Sequence, residues 1–472
     1  MADPVSPQVQ IIQGGMGAGV SLWSLAREVS LQGGLGTLSG VAPYLIMADA
    51  LGRGDPGGHY RKALAAFPFQ KVAKEVLKNF YIDEKDPRGR KPRAVPFFTV
   101  EPSDLLIALT ICSSYAFVWL AKNGHGQGPV VPVSFNLLTK IEMPIMYSLL
   151  GAILAGVDYV TMGAGIPIQI PDLLSDIVAG RPLSYRISLA GSKEKYTMVF
   201  DPKSFFGGIL PPLKRPGFLP IISSNVLAKV LIKRLPAGSI QGFIIETWVA
   251  GGHNAPPRRL KKDAQGNPLP LYDDEEDKVD YLAMVRLGIP FWIGGGCASP
   301  EMLRWALSVG ASGIQVGSIF ALSRESGFDP SLRKRIVEAV RAGKAGVKTD
   351  MLHSPTGFPF KVLQLEGTAA HQPIGECQAR QCLYGVLLTP YQDKPDQPVR
   401  YHCPSEPVED YLRKGGKFAD TTGRFCLCSE LMAAIGIGKG LPVVTLGDDL
   451  SFLDHLLDNY GVPDVFRFLL GK

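Results

Sequence analysis

Eight short apolar runs, at residues 10–13, 34–38, 131–136, 158–162, 219–223, 241–246, 290–293 and 313–316, limit most strongly what this chain can fold into. Most are continuous rather than alternating, the pattern of parallel strands buried on both faces. Helix-like stretches separate them, among them 144–155, 226–234 and 300–309. The last opens with Ser299, Pro300 and Glu301: a cap, a preset φ and an acid for the positive helix end. Strand alternating with helix implies parallel βαβ units. Eight of them favour a closed α/β barrel, the (β/α)8 or TIM-barrel fold, although counting alone leaves an open doubly wound sheet available.

Three segments interrupt the repeat. Residues 43–103 separate the second and third strands and include the polar IDEKDPRGRKPR, residues 256–280 carry RRLKK and then DDEED, and residues 345–472 follow the last strand. The expected organisation is a barrel over 1–344, with insertions at about 43–103 and 256–280, and a cysteine-bearing extension over 345–472 acting as a lid. The charge runs read as solvated loop surface. With 46% hydrophobic and 19% charged residues the chain can build a large core. A net charge of +6 over 472 residues gives no basic stripe, so nucleic acid is not an expected partner. The start, MADPVSPQVQ, lacks the pattern of a secretory leader, and seven cysteines are an odd number for a disulfide framework. Both point to a reducing, cytoplasmic setting. The uncharged run 105–121 reaches the lower length of a membrane span. Thr110, Ser113 and Ser114 dilute it and the repeat continues on both sides, so a buried helix and no membrane are expected.

Three strand ends carry chemistry. The first strand runs into Gly14-Gly15-Met16-Gly17-Ala18-Gly19, bare backbone against which a flat or phosphorylated ligand can lie. It is not a dinucleotide fingerprint, because the next strand ends near Thr37-Leu38 and not in an acid. The seventh strand ends in Gly294-Gly295-Gly296 and the eighth in Gln315-Val316-Gly317-Ser318. In barrels of this class, loops at these two ends with a helix N-terminus form a phosphate site, since free N–H groups and the helix dipole face an anion. The sixth strand ends in Glu246 and leads to Gly251-Gly252-His253. An imidazole there can take up and return a proton near neutral pH; the plainer alternative is a histidine that packs a loop.

The ordered set IIQGGMGAGVS, GGLGTLSG, PVSFNLL, AGGHNAP, FWIGGG and GIQVGSIFALSRES, over roughly residues 9–330, resembles the nitronate monooxygenases (2-nitropropane dioxygenases). It is equally similar to their relatives, the FMN-dependent enoyl-ACP reductases. The resemblance implies FMN as the cofactor, with Gly15, Met16 and Gly17 along the ring, Asn136 touching it, and Gly251 and Gly252 close to it. Gly295, Gly296, Gly317 and Ser318 would hold the phosphate, with Gln315 and Glu246 in the same cofactor site. His253 would be the catalytic base of an oxygen-using nitronate monooxygenase, acting on a small nitroalkane or nitronate. The alternative activity is NAD(P)H-dependent enoyl reduction of an acyl-carrier or CoA thioester, with a carrier protein as partner. A homodimer is compatible with either. The chain departs from the family at Glu246, where Gln is usual; a carboxylate there would oppose an anionic reduced flavin. Lys140, four residues past Asn136, could meet substrate or cofactor, but reads first as a surface lysine.

The extension holds Cys377, Cys382, Cys403, Cys426 and Cys428, with His402 beside Cys403. Clustered cysteines invite a zinc or iron–sulfur reading, but the spacings Cys-x4-Cys and Cys-x-Cys match no standard zinc pattern and free cysteine is often simply buried, so no metal ligand is assigned.

Overall fold

In the computed structural model, residues 5–83, 91–126, 128–264, 266–273, 275–371, 380–394 and 397–472 are described. All eight expected strands form: β1 (Ile11–Gln13), β2 (Gly36–Ser39), β3 (Val133–Leu138), β4 (Tyr159–Gly163), β5 (Gly217–Ile222), β6 (Phe243–Glu246), β7 (Phe291–Gly294) and β8 (Gly313–Val316). They pair in parallel in the order β1-β8-β7-β6-β5-β4-β3-β2. The circle closes between β1 and β2 through a parallel bridge from Ile12 to Leu35, with Gln13 N donating to Leu35 O at 3.0 Å. That closure excludes the open sheet. Ile12, Leu35, Leu219, Ile244 and Trp292 form one apolar cluster, each at most 1% exposed. Side chains from neighbouring strands thus fill the barrel, and Trp292 Nε1 finds the Val9 carbonyl at 2.8 Å.

The uncharged run lies within the helix Asp104–Asn123. Length and composition would let it span a bilayer, yet 83% of its most apolar window is buried inside the protein. One side meets the helix Ile145–Leu154, where a Cβ on Gly151 would lie 2.2 Å from the Ile111 carbonyl, so only glycine permits the approach. The other side is covered by the first insertion, whose helices Pro43–Gly52, His59–Ala65 and Gln70–Phe80 all pack on it. A helix apolar all round is buried all round because an insertion replaces solvent.

An antiparallel hairpin, Leu183–Ser188 with Lys195–Phe200, lies between β4 and β5 and was not among the expected insertions. Its first strand alternates buried and exposed, a two-residue period unlike the continuous runs of the barrel. In the second insertion the charge runs meet each other: Arg259 pairs with Glu276 at 2.8 Å, and Arg258 N donates to Asp277 at 2.9 Å. They stay on the surface.

The segment after 345 covers the C-terminal ends of the strands. It opens with an antiparallel hairpin, Val347–Asp350 with Phe360–Leu363. The second strand docks on the loop after β6: Lys361 N donates to Gly252 O at 2.9 Å and Asn254 N to Pro359 O at 3.0 Å. At the far end the helix Val462–Leu469 returns to pack on Trp23–Leu31 and Pro300–Ser308.

Candidate functional site

The glycine loop after β1 is held by a residue the motifs did not single out. Gln13 is fully buried at the end of its strand, where an unpaired amide would be costly. Its Nε2 donates to Gly14 O at 2.9 Å, Ser21 Oγ at 2.7 Å and Thr37 O at 2.8 Å, and its Oε1 accepts from Thr37 N at 3.1 Å. One side chain thereby sets the loop against β2. Gly15 is glycine for a steric reason: a Cβ would lie 2.3 Å from Asn136 Cβ. Asn136 Nδ2 donates to Gly15 O at 3.2 Å, and its Oδ1 accepts from Thr161 Oγ1 at 3.0 Å. The amide of Asn136 therefore supports the loop on which a ring would rest.

The ends of β7 and β8 lie side by side, with Gly294 opposite Gln315. Gly295 and Gly296 take φ of 98° and 66°, the left-handed region that favours glycine. A Cβ on Gly295 would also lie 2.2 Å from Thr247 Oγ1. Among the described residues, the backbone N–H groups of Gly296, Gly317 and Ser318 meet no protein acceptor. Ser318 Oγ accepts from Gly447 N at 2.8 Å, which ties the extension to this corner. Free N–H groups on adjacent turns make an anion cradle.

The chemistry centres on His253. Its Nε2 meets Ser354 Oγ at 2.7 Å and Thr356 Oγ1 at 3.4 Å, and the ring packs on Phe360 with centroids 4.8 Å apart. Burial, then the charge of Lys140 and of His353, hold its pKa well below the ordinary histidine value. The imidazole is neutral at pH 7 and one nitrogen is committed to Ser354. Both partners come from the loop of the extension's first hairpin, which is clamped from two sides. Asp350 Oδ1 accepts from Leu352 N and His353 N, and Arg424 donates to the carbonyls of Leu352 and Ser354 at 2.7 Å each. His353 itself is buried against Glu430 at 2.8 Å and stacked on Phe425 at 4.3 Å.

Lys140 is not a surface lysine. Its ammonium is buried without a hydrogen-bond partner among the described residues, and Nζ sits 4.2 Å from the Phe358 ring centre. Lys140 stands in the turn that follows β3. Burial lowers the Lys140 pKa to about 7, with Glu246 working against the shift. Burial raises Glu246 to about 7, with Lys140 opposing. Two groups of opposite sign thus titrate close to neutrality beside the histidine.

All thirteen residues singled out from the sequence line one cavity of about 230 Å³ at the C-terminal ends of the strands. They are Gly15, Met16, Gly17, Asn136, Glu246, Gly251, Gly252, His253, Gly295, Gly296, Gln315, Gly317 and Ser318. Gly251 has a further role: a Cβ there would lie 2.9 Å from the Leu446 backbone, so glycine at this position also admits the extension. Missed were the residues that roof the cavity, among them Phe360, Leu427, Cys428, Met432, Val443 and Thr445. Of the cysteines, Cys382, Cys403, Cys426 and Cys428 are free thiols around a second, much smaller cavity, and Cys377 lies outside the described residues. As the side chains stand, no group of three or more His, Cys, Asp or Glu among the described residues is arranged to hold a metal ion.

These features define a closed (β/α)8 barrel with a roofed ligand site at the strand C-termini, where barrels of this class do chemistry. No family model and no curated protein matches the chain. Among solved structures the chain is similar to FabK from Thermotoga maritima, at 15% identity and a TM-score of 0.47, over 98% of this chain and 92% of that one. It is similar to nitroalkane oxidase from Streptomyces ansochromogenes at 14% identity and a TM-score of 0.44, over 99% and 96%. A third is the enoyl reductase domain of MlnA from the macrolactin biosynthesis cluster of Bacillus amyloliquefaciens, at 12% identity and a TM-score of 0.47, over 98% and 94%.

Proposed function

We propose that the chain is an FMN-dependent oxidoreductase of the nitronate monooxygenase type, with His253 as the base that takes a proton from the carbon bearing a nitro group. The observation that carries this reading is the neutral, oriented imidazole in the same cavity as the anion cradle. A flavin fits the residues present: bare backbone at Gly15–Gly17 leaves room along a planar ring, and free N–H groups at Gly296, Gly317 and Ser318 suit a phosphate. When bound, FMN would accept electrons from the nitronate and pass them to dioxygen. The protein's own part is the proton. Ser354 and Thr356 orient the ring, and the apolar roof keeps water from competing for the base.

The depressed pKa of His253 favours the first of the two activities suggested by the motifs. A base must arrive unprotonated, which burial and Lys140 ensure. An acid that protonates a reduced enoyl thioester would need the opposite bias. Lys140 and Glu246, both near 7, are the groups through which a reductase could still obtain a proton, with an acyl-carrier or CoA thioester as substrate. The test is anaerobic reduction of the purified flavoprotein, once with an alkyl nitronate and once with NADPH. Bleaching by the nitronate alone supports the oxygenase. Bleaching by NADPH alone overturns it in favour of the reductase, and a protein that takes up no flavin overturns both.

A further inference from the structure

Three separate stretches of the extension bring Cys382, Cys403, Cys426 and Cys428 to the walls of one cavity of about 10 Å³. That is room for about one water-sized body, the size of a single ion. The stretches are cross-tied where they meet. Arg380 donates to Pro404 O at 3.2 Å and Thr421 O at 2.9 Å, and Ser405 Oγ donates to Phe425 O. Four cysteines from three stretches on one cavity supply the ligand type and number that a thiophilic cation takes.

We propose that Cys382, Cys403, Cys426 and Cys428 form a four-thiolate site for a thiophilic divalent cation, zinc by size and ligand type. Four S–H protons leave to solvent and four sulfur–metal bonds replace them, so the site carries two net negative charges. The sulfurs reach a common centre by side-chain rotation, which moves a cysteine sulfur by roughly 3 Å between staggered rotamers. The sequence spacing concealed this site because the ligands are gathered by tertiary structure and not by a single knuckle. Its role follows from a shared wall: Leu387, Leu427 and Cys428 line both this cavity and the large one. A metal holding the three stretches together holds the roof over the cofactor site.

The test is metal analysis of the full-length protein purified without chelator, with flavin content measured on the same sample. About one zinc per chain is expected, released when a mercurial titrates the thiols in the presence of a zinc indicator. Cys403→Ser and Cys426→Ser should each lower the metal content at least about fivefold. Iron with acid-labile sulfide would equally support the four-thiolate site, with a cluster as occupant. Metal-free protein whose four thiols alkylate freely in the native state overturns the proposal, as does metal retained undiminished in both variants. A colourless protein that holds zinc would sink the flavin reading and leave this one standing.

Discussion

His253 Nε2 and Ser354 Oγ lie 2.7 Å apart although 101 positions separate them in the chain. The imidazole belongs to the barrel and the hydroxyl to the hairpin loop that covers it, so the orientation of the base depends on the extension being in place. Ser354→Ala removes the orienting partner and leaves the ring. One hydrogen bond of this kind contributes about 1 kcal/mol, so kcat/KM on a neutral nitroalkane should fall about fivefold with flavin content unchanged. Unaltered kinetics would show that Thr356 and the packing on Phe360 suffice to position the ring.

Removing the base is the stronger test. His253→Ala should retain flavin and lose about 10²-fold or more in turnover of a neutral nitroalkane. Its activity on a preformed nitronate should fall far less, because that substrate needs no deprotonation. Equal losses on both would assign His253 to binding instead.

The pH profile follows from the direction of the His253 shift. A depressed folded pKa keeps the base form available below the ordinary 6.5. The acid limb of kcat/KM for the free enzyme should therefore lie below pH 6.5. A limb above it would contradict a buried neutral imidazole. Stability carries the same sign: as pH falls from 6.5 toward the folded pKa, the unfolded chain binds the proton first and stability is lost.

Glu246 behaves oppositely. Its folded pKa is raised from 4.5 to about 7, so the folded state binds more protons between those values and stability falls as pH rises through that window. Glu246→Gln mimics the protonated acid. It should leave the melting temperature unchanged at pH 4 and raise it by about 2–5 °C at pH 8. A drop at pH 8 would mean that attraction to Lys140 outweighs burial.

The barrel was legible because its strands are continuous apolar runs ending in glycine, and that pattern survives any loop. The cradle was legible for the same reason: Gly295 and Gly317 mark strand ends whatever follows them. The hairpin at 183–200 was not, since counting eight strands left its alternating pattern without a place. Lys140 reads as a surface residue because nothing local tells an inward lysine from an outward one; its ammonium meets Phe358, from the far extension. Every roof residue shares that opacity. Contacts such as Gly251 against Leu446 join segments about two hundred residues apart, and no short-range pattern encodes them.

The clamp between barrel and roof can be tested at Lys361. Its side chain is 2% exposed, pairs with Asp448, and lies 5.8 Å from the Trp248 ring centre. Its backbone N–H is already committed to Gly252 O at 2.9 Å, and Asp448 N donates to Val249 O at 3.0 Å. Two hydrogen bonds thus fasten the extension to the loop that carries His253, and the ion pair joins the two extension segments that make them. Asp448→Asn leaves the ammonium buried without its counter-charge, a change that costs about 3 kcal/mol when a buried pair is broken. Lys361→Met removes the charge and keeps most of the apolar stem, and Asp448, a third exposed, can then be solvated. The asparagine variant should therefore unfold at lower denaturant than the methionine variant, and should release flavin faster. If the two variants are equally stable, the pair is solvated in the folded protein and the roof is held by its backbone bonds alone.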